Sequence, residues 1–194
     1  MAVGAISCPR LLVPYVNRDI RQIKEKYRLF YPIRWSRLNP CLDLFYQELL
    51  DYFFSNNFLK FQGLVIEDKH KLYPNRRVFR FELGYYTIYS ELCLLLMSER
   101  PTYNLYLSTT DARSRLGSRN IRSKLNEYYN PVHIKNIQTI RFVESELLQL
   151  TNLFVGTLTY THRQLSGNTI KLRFIDKLNK RKNSTQFNEV IRKI

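Results

Sequence analysis

Apolar and polar residues recur along this chain with two periods, one typical of strands and one typical of helices. Short apolar runs predict strands at residues 2–7, 58–66, 103–107 and 134–142. Apolar residues spaced three or four apart predict helices at residues 16–28, 39–56, 79–98, 118–129 and 143–162. Asn39 followed by Pro40 suits the start of the second of these helices, because Asn caps helix ends and Pro fits the first turn. Strands interspersed with helices predict an α/β domain in which a single mixed β-sheet is flanked by helices.

The C-terminal part of the chain differs in composition from the rest. Residues 171–194 are strongly basic and less hydrophobic than the segments before them. Helical spacing predicts one helix near residues 170–178 and a second near residues 187–194. We therefore expect a domain at residues 1–166, followed by a basic, partly helical tail at residues 167–194.

The helix predicted last in the domain carries two amides within an apolar segment, ELLQLTNLFVGTL at residues 146–158. At about 100° per residue, one narrow polar strip of roughly 60° runs along it. The strip consists of Ser145, Gln149, Asn152, Gly156 and Arg163. Two interpretations follow from this pattern. The strip is either the solvent-facing side of a partly buried helix, or it faces a functional site.

The charge of the chain is far from balanced. Thirty-one Lys and Arg residues stand against 16 Asp and Glu residues, which gives a formal net charge of +15. Such a charge attracts polyanions, and nucleic acid is the commonest of them, because each neutralised phosphate releases condensed counterions. An anionic membrane surface or an acidic protein partner would be served by the same charge.

Cysteine usage and hydropathy bear on the compartment. Cys8, Cys41 and Cys93 are odd in number and widely spaced, which fits reduced thiols in a cytosolic protein. No run approaches the roughly 18 apolar residues that span a bilayer. We expect a cytoplasmic protein with no membrane partner.

Acidic residues are scarce, and two of them follow predicted strands. Asp68 and Asp111 lie just after the second and third strands, where ligands collect in an open α/β sheet. With Glu144 or Glu146 at the start of the amide-bearing helix, they would supply oxygen ligands for Mg²⁺ or Mn²⁺, the ions of phosphodiester hydrolysis. The alternative is structural: Asp111 is then a turn or cap residue, and Asp68 a loop acid.

The order of several motifs resembles the bacterial and phage family called domain of unknown function 3800. The motifs span residues 2–165, nearly the whole chain except the tail. They are the opening VGAI strand, IRWSRL at residues 33–38, the LVIEDK strand end, YLSTTDARS at residues 106–114 and LLQLTNLFVG at residues 147–156. The last one is similar to the family's Leu-Gln-Leu-Ala-Asp-Leu helix.

The resemblance implies a ribonuclease H-like fold with a carboxylate metal site. It places Asp111 among the metal ligands, with Asp68 or Glu67 beside it, and puts Arg34 near the family's basic position. The polar strip of the amide-bearing helix would then face the site, with Asn152 standing where the family has Asp. The family's opening strand, which bears Asp-Glu-Ser-Gly, has no counterpart here, and the carbonyl of Asn152 is a weaker ligand for a hard cation than a carboxylate.

Two functions from different classes follow. The first is a divalent-metal-dependent nuclease with Asp111, Asp68 and Asn152 at its catalytic centre. The second is a non-catalytic protein that binds nucleic acid or serves as a scaffold subunit of a defence or mobile-element assembly. A module for an acidic protein partner is a third alternative. In the first two, the residues expected to contact phosphate are Arg34, Arg113, Arg115, Arg119, Arg122 and Lys124.

Overall fold

We describe the protein from a computed structural model, which describes residues 1–67, 78–97, 102–108, 121–123, 125, 134–183 and 185–192. The strands are β1 (Ala2–Ser7), β2 (Lys60–Ile66), β3 (Tyr103–Ser108), β4 (Ile134–Ile140) and β5 (Phe187–Arg192). The helices are α1 (Val13–Lys26), α2 (Asp43–Ser55), α3 (Val78–Leu96), α4 (Glu146–His162) and α5 (Thr169–Arg181). Among the described helices, none combines the length and the apolar character that crossing a bilayer requires.

The α/β class is confirmed, but the described strands form two sheets rather than one. β1, β2 and β5 make a mixed sheet in the order β1-β2-β5, with β1 antiparallel and β5 parallel to β2. β3 and β4 make a separate parallel pair. The two sheets contact different parts of α3: Ile88 and Leu92 pack with the mixed sheet, whereas Cys93 packs with Ile134 and Leu107 of the pair.

The mixed sheet is covered on both faces because its strands alternate apolar side chains between two sides. Phe61 and Val65 of β2 belong to the large core beneath α4, and Leu64 and Ile66 belong to the smaller core beneath α3. On the α4 side, β1 and β2 bring two glycines opposite one another, Gly4 and Gly63. A Cβ atom at Gly63 would lie 2.2 Å from Cδ1 of Leu158, so this glycine allows α4 to approach the sheet closely.

The C-terminal segment is part of the same core, and its last element is a strand. A helix forms at Thr169–Arg181, as predicted, but the second predicted helix is wrong, because Phe187–Arg192 pairs with β2. Pairing gives β2 a partner on the edge that β1 leaves open. Phe174, Leu178 and Phe187 are each 1% exposed within the large core.

The remaining predicted elements are confirmed where the structure describes them, with shifts at their ends. The helix predicted from residue 39 begins as a 3-10 turn at Pro40–Leu42, where Asn39 Oδ1 accepts a hydrogen bond from the Cys41 backbone N–H, before α2 starts at Asp43. The helix predicted from residue 143 starts at Glu146, because Ser145 caps it by accepting from the Leu148 backbone N–H. Of the helix predicted at residues 118–129, the described residues 121–123 and 125 are helical.

Candidate functional site

The two amides of α4 bind backbone N–H groups of the segment between α1 and α2. Gln149 Oε1 accepts a hydrogen bond of 2.9 Å from the Ile33 N–H, and Asn152 Oδ1 accepts one of 2.9 Å from the Trp35 N–H. Ile33 is 2% exposed and Gln149 is 1% exposed, so the first of these bonds lies inside the core. The polar strip of α4 therefore holds another segment of the chain along this part of its length.

The spacing of the amides explains why this pairing works. Residues three apart lie on one face of a helix, and N–H groups two apart lie on one side of an extended segment. Gln149 and Asn152 thus meet Ile33 and Trp35 in register. Arg34, which lies between them, is exposed, whereas Ile33 is buried.

A buried ion pair lies next to this contact, at the start of α4. Glu146 is 5% exposed, and its carboxylate lies 3.2 Å from Lys24 Nζ of α1. The same ammonium donates to Gln149 Oε1 at 3.4 Å. Burying a charge is costly unless it is paired and hydrogen-bonded, and here both conditions are met, so α1 is fixed to α4 at this point.

Gly156 gives the single tryptophan of the chain its place against α4. A Cβ atom at Gly156 would lie 2.1 Å from Cγ of Trp35, far inside van der Waals contact. The indole ring also packs edge-on against Tyr160 and Phe174, with ring centroids 5.8 Å and 5.9 Å away. The ring of Trp35 is therefore held on three sides.

An open groove runs beside this tryptophan. One wall comes from α4, a second from the segment around Trp35, and the far end from the loop after α4 and the start of α5. Its polar and aromatic lining consists of Arg34, Trp35, Ser36, Asn152, Thr159, Tyr160, Arg163 and Lys171. We call this the α4 groove.

Three cations line the α4 groove, and none of them forms an ion pair with a carboxylate of the described residues. Instead, Lys171 Nζ lies 5.4 Å from the ring centroid of Trp35 and 5.5 Å from that of Tyr160, and the Arg34 guanidinium lies 4.7 Å from the Phe142 ring centroid. Cations further along α5 differ: Lys177 pairs with Asp43 at 2.7 Å, and Arg181 pairs with Asp51. Among the described residues, therefore, no carboxylate neutralises Arg34, Arg163 or Lys171.

Asn152 adds a donor to the same wall. Its Oδ1 is used by the Trp35 N–H, and its Nδ2 has no acceptor among the described residues. The residue is exposed and lines the groove. Asn152 was predicted as a catalytic residue in place of a metal-ligating Asp; the structure shows its carbonyl oxygen engaged with the backbone, which leaves a hydrogen-bond donor for a ligand.

Of the residues predicted at a site, the structure brings two into the α4 groove, Arg34 and Asn152. Arg122 is exposed and does not line this groove. Outside the described residues lie Asp68, Asp111, Arg113, Arg115, Arg119 and Lys124. The predicted meeting of Asp111 with Asn152 stays a prediction.

Glu144, predicted as a metal ligand, lies in a 3-10 turn just before α4 and is bound to Arg141. Its Oε1 lies 2.6 Å from Arg141 Nε, and its Oε2 accepts from the Arg141 backbone N–H at 3.0 Å. These bonds from Arg141 lower the pKa of the Glu144 carboxyl. Within the described part of the chain, no three His, Cys, Asp or Glu side chains group closely enough to hold a metal ion.

Sequence reasoning missed Lys171 as a groove residue and named Arg163 only as a member of the polar strip. Lys171 was set aside because residues 167–194 were treated as a tail, whereas α5 packs on the core and turns Lys171 towards Trp35. Arg163 could have been predicted at the site, because the helical period aligns it with Asn152 and Gly156 on the polar strip.

Comparisons of this chain with protein-family models, with curated proteins and with solved structures find no match.

Proposed function

We propose that the protein binds nucleic acid through the α4 groove. The observation that carries this proposal is the convergence of Arg34, Arg163 and Lys171, three cations without carboxylate partners among the described residues, in one groove of a chain with a net charge of +15. Phosphate oxygens would replace the missing carboxylates, and the released counterions would favour binding.

The groove offers different contacts to a phosphate backbone. Arginine presents a planar fork of donors that matches phosphate oxygens, whereas lysine acts as a compact point charge. Lys171 is held over two rings, which limits the freedom that it would lose on binding. The Nδ2 group of Asn152 adds a neutral donor beside these charges.

The ribonuclease H-like fold and a metal-dependent nuclease remain the finer proposal. It is supported by the order of the motifs and by the presence of Arg34 and Asn152 in one groove. Cleavage would depend on Asp111 and Asp68 as ligands of Mg²⁺ or Mn²⁺. We put binding first, because the Asn152 oxygen that corresponds to the family's ligand accepts the Trp35 N–H.

Binding is tested with labelled DNA and RNA oligonucleotides, single-stranded and duplex, over a range of salt concentrations. We expect Arg34→Gln, Arg163→Gln and Lys171→Gln each to weaken binding and to lower the slope of log K against log salt by about 1. Arg10→Gln and Lys135→Gln are the matched controls, because both residues are exposed cations that do not line the groove. Trp35 fluorescence reports occupancy of the groove directly.

Groove variants that bind as the controls do would contradict this location, and an absence of binding at low salt would contradict the function. The same oligonucleotides incubated with Mg²⁺ or Mn²⁺ test the nuclease. Metal-dependent cleavage that Asp111→Ala abolishes supports it. Binding without cleavage supports the non-catalytic alternative, a nucleic-acid-binding or scaffold subunit.

A further inference from the structure

We propose that Phe30 is a platform on which an unpaired base stacks, so that the α4 groove selects single-stranded nucleic acid. This inference rests on the proposed function and adds the class of strand. It follows from the exposure of Phe30, the way in which the backbone around it is anchored, and the charges beside it.

Phe30 is 84% exposed, whereas residues on both sides of it are in the core. Leu29 is 4% exposed and Ile33 is 2% exposed. The chain therefore enters the core, leaves it for Phe30, Tyr31 and Pro32, and returns. Exposure alone does not indicate a partner, since Leu11 is equally exposed. Phe30 differs from Leu11 because it is an aromatic ring, on which a base can stack.

The backbone that carries Phe30 is fixed on both sides. Before it, the Leu29 N–H donates to the Lys24 carbonyl at 2.8 Å, and Arg28 has a left-handed φ of 54° that ends α1 sharply. After it, the Ile33 N–H donates to Gln149. Pro32 restricts Tyr31 to extended conformations. An aromatic ring on an anchored backbone loses little freedom when a base stacks on it.

The rings inside the groove are already engaged. Trp35 contacts Tyr160, Phe174 and the Lys171 ammonium, and Tyr160 is 6% exposed. Trp35 is half-buried and Tyr160 is buried, so neither ring is as accessible to a base as that of Phe30. Phe30 has an exposed ring, and the neighbouring Tyr31 lies under the Arg37 guanidinium, 5.7 Å from its ring centroid.

The surroundings of Phe30 suit a nucleic acid strand. Arg28, Arg34 and Arg37 are exposed and form no ion pair with the described residues. At no more than about 3.6 Å of chain per residue, Phe30 and Arg34 are anchored within roughly 15 Å of one another. A strand whose phosphates lie on Arg34 can thus place a base on Phe30. Only unpaired bases offer the ring face that stacking requires, which selects single strands over duplex.

The test compares three ligands of equal length, about 12 nucleotides: a labelled oligothymidylate, a duplex, and an abasic deoxyribose-phosphate strand that keeps the charge and lacks the bases. The variants are Phe30→Ala, Phe30→Tyr and Leu11→Ala. Leu11 is the matched control, because it is also 84% exposed and does not line the groove. Thermal unfolding confirms that each variant folds.

We expect Phe30→Ala to weaken oligothymidylate binding by about 5- to 150-fold, the range for loss of one stacked base. Binding of the abasic strand and the duplex should change by less than about twofold, because both contact only the cations. Phe30→Tyr should retain the affinity for oligothymidylate, and Leu11→Ala should leave all three ligands unaffected.

Two results would overturn the inference while leaving the proposed function intact: equal loss in Phe30→Ala and Leu11→Ala, or equal wild-type affinity for the abasic strand and for oligothymidylate. Vesicles of phosphatidylserine and phosphatidylcholine form a further arm. If Phe30→Ala weakens only vesicle binding, the ring serves a lipid surface and the inference fails. If no strand binds the wild type at low salt, the proposed function fails as well.

Discussion

At the residue scale, the sequence offers two explanations for the amide side chain of Asn152. Asn152 was expected either on the solvent-facing side of a helix or at a site. Its two ends differ, because Oδ1 accepts from the Trp35 N–H, whereas Nδ2 has no acceptor among the described residues and lies in the wall of the α4 groove. A carboxylate at this position would accept the same N–H but could not donate. Asparagine therefore suits the proposed role of the α4 groove in anion binding.

Gly156→Ala should destabilise the protein, although alanine is the better helix former by up to about 1 kcal/mol. The added Cβ would lie 2.1 Å from Cγ of Trp35, whose backbone is tied to Asn152 and whose ring packs on Phe174. Overpacking of this kind costs about 1–3 kcal/mol. We expect a lower Tm by circular dichroism and a red-shifted tryptophan emission.

The matched control is Gly167→Ala, since a Cβ atom at Gly167 has no neighbour within 4 Å. It should leave both Tm and emission unchanged. A Gly156→Ala protein that is as stable as the wild type with unchanged emission would mean that Trp35 does not pack against α4 as described.

At the element scale, α1 and α2 are joined at the surface by Glu48. Its Oε2 lies 2.6 Å from Lys26 Nζ and 2.7 Å from the Tyr27 hydroxyl. The hydrogen bond from Lys26, followed by the one from Tyr27, lowers the pKa of the Glu48 carboxyl from its ordinary value of 4.5. A lowered pKa in the folded state means that ionised Glu48 stabilises the folded protein.

Glu48→Gln should therefore lower Tm near neutral pH and lose its effect in acid. The stabilisation is fully present above the unfolded pKa and disappears as the pH falls through the lower folded pKa, because protonated Glu48 resembles glutamine. Since the ion pair between Glu48 and Lys26 is partly exposed, the decrease in Tm at pH 7 should be at most about 4 °C. Calorimetry from pH 7 down to about pH 3 measures it.

Glu25→Gln serves as its control, because Glu25 is an exposed carboxylate of α1 without an ion pair in the described part of the chain. A difference between wild type and Glu48→Gln that is constant across this pH range would contradict the assignment of the lowered pKa to this contact.

At the scale of the whole molecule, the C-terminal segment completes both the core and the groove. α5 and β5 contribute Phe174, Leu178 and Phe187 to the large core, and α5 carries Lys171 into the groove. The basic charge of this segment therefore lies on elements that are packed against the rest of the fold. α5 thus brings Lys171 into the groove that Arg163, directly after α4, and Arg34, from the segment before α2, also line.

A chain ending at residue 166 should not fold. It lacks three side chains that are each 1% exposed, Phe174, Leu178 and Phe187. Loss of such a side chain costs about 2–5 kcal/mol, and the sum is comparable with the total stability of a typical domain, about 5–15 kcal/mol. Circular dichroism and the dispersion of amide NMR signals show whether the shortened chain is folded. Cooperative unfolding of the shortened chain would show instead that residues 1–166 form the independent domain expected from the sequence.

Point variants of α5 give a milder form of the same test. Phe174→Ala should reduce the free energy of unfolding by about 3–5 kcal/mol. Leu172→Ala, on the same helix but at a side chain that is 40% exposed, should change it by no more than about 0.5 kcal/mol.

The sequence by itself determined the type of most elements and the excess of positive charge. Residues such as Phe45, Leu49 and Phe53 of α2 repeat at the helical period, and the side chains that this period aligns are those buried in the core. Net charge is a sum over residues, so it needs no structure. Capping by Asn39 depends on neighbours in the chain, which is why its role was predictable.

Only the tertiary structure decided what depends on partners distant in sequence. Residues 187–192 form a strand because β2 offers an unpaired edge, and a run of six residues is too short for its own period to distinguish strand from helix. Gln149 and Asn152 acquire their roles from Ile33 and Trp35, more than a hundred residues away. The α4 groove exists because folding brings together cations from three separate segments and leaves them without carboxylates among the described residues.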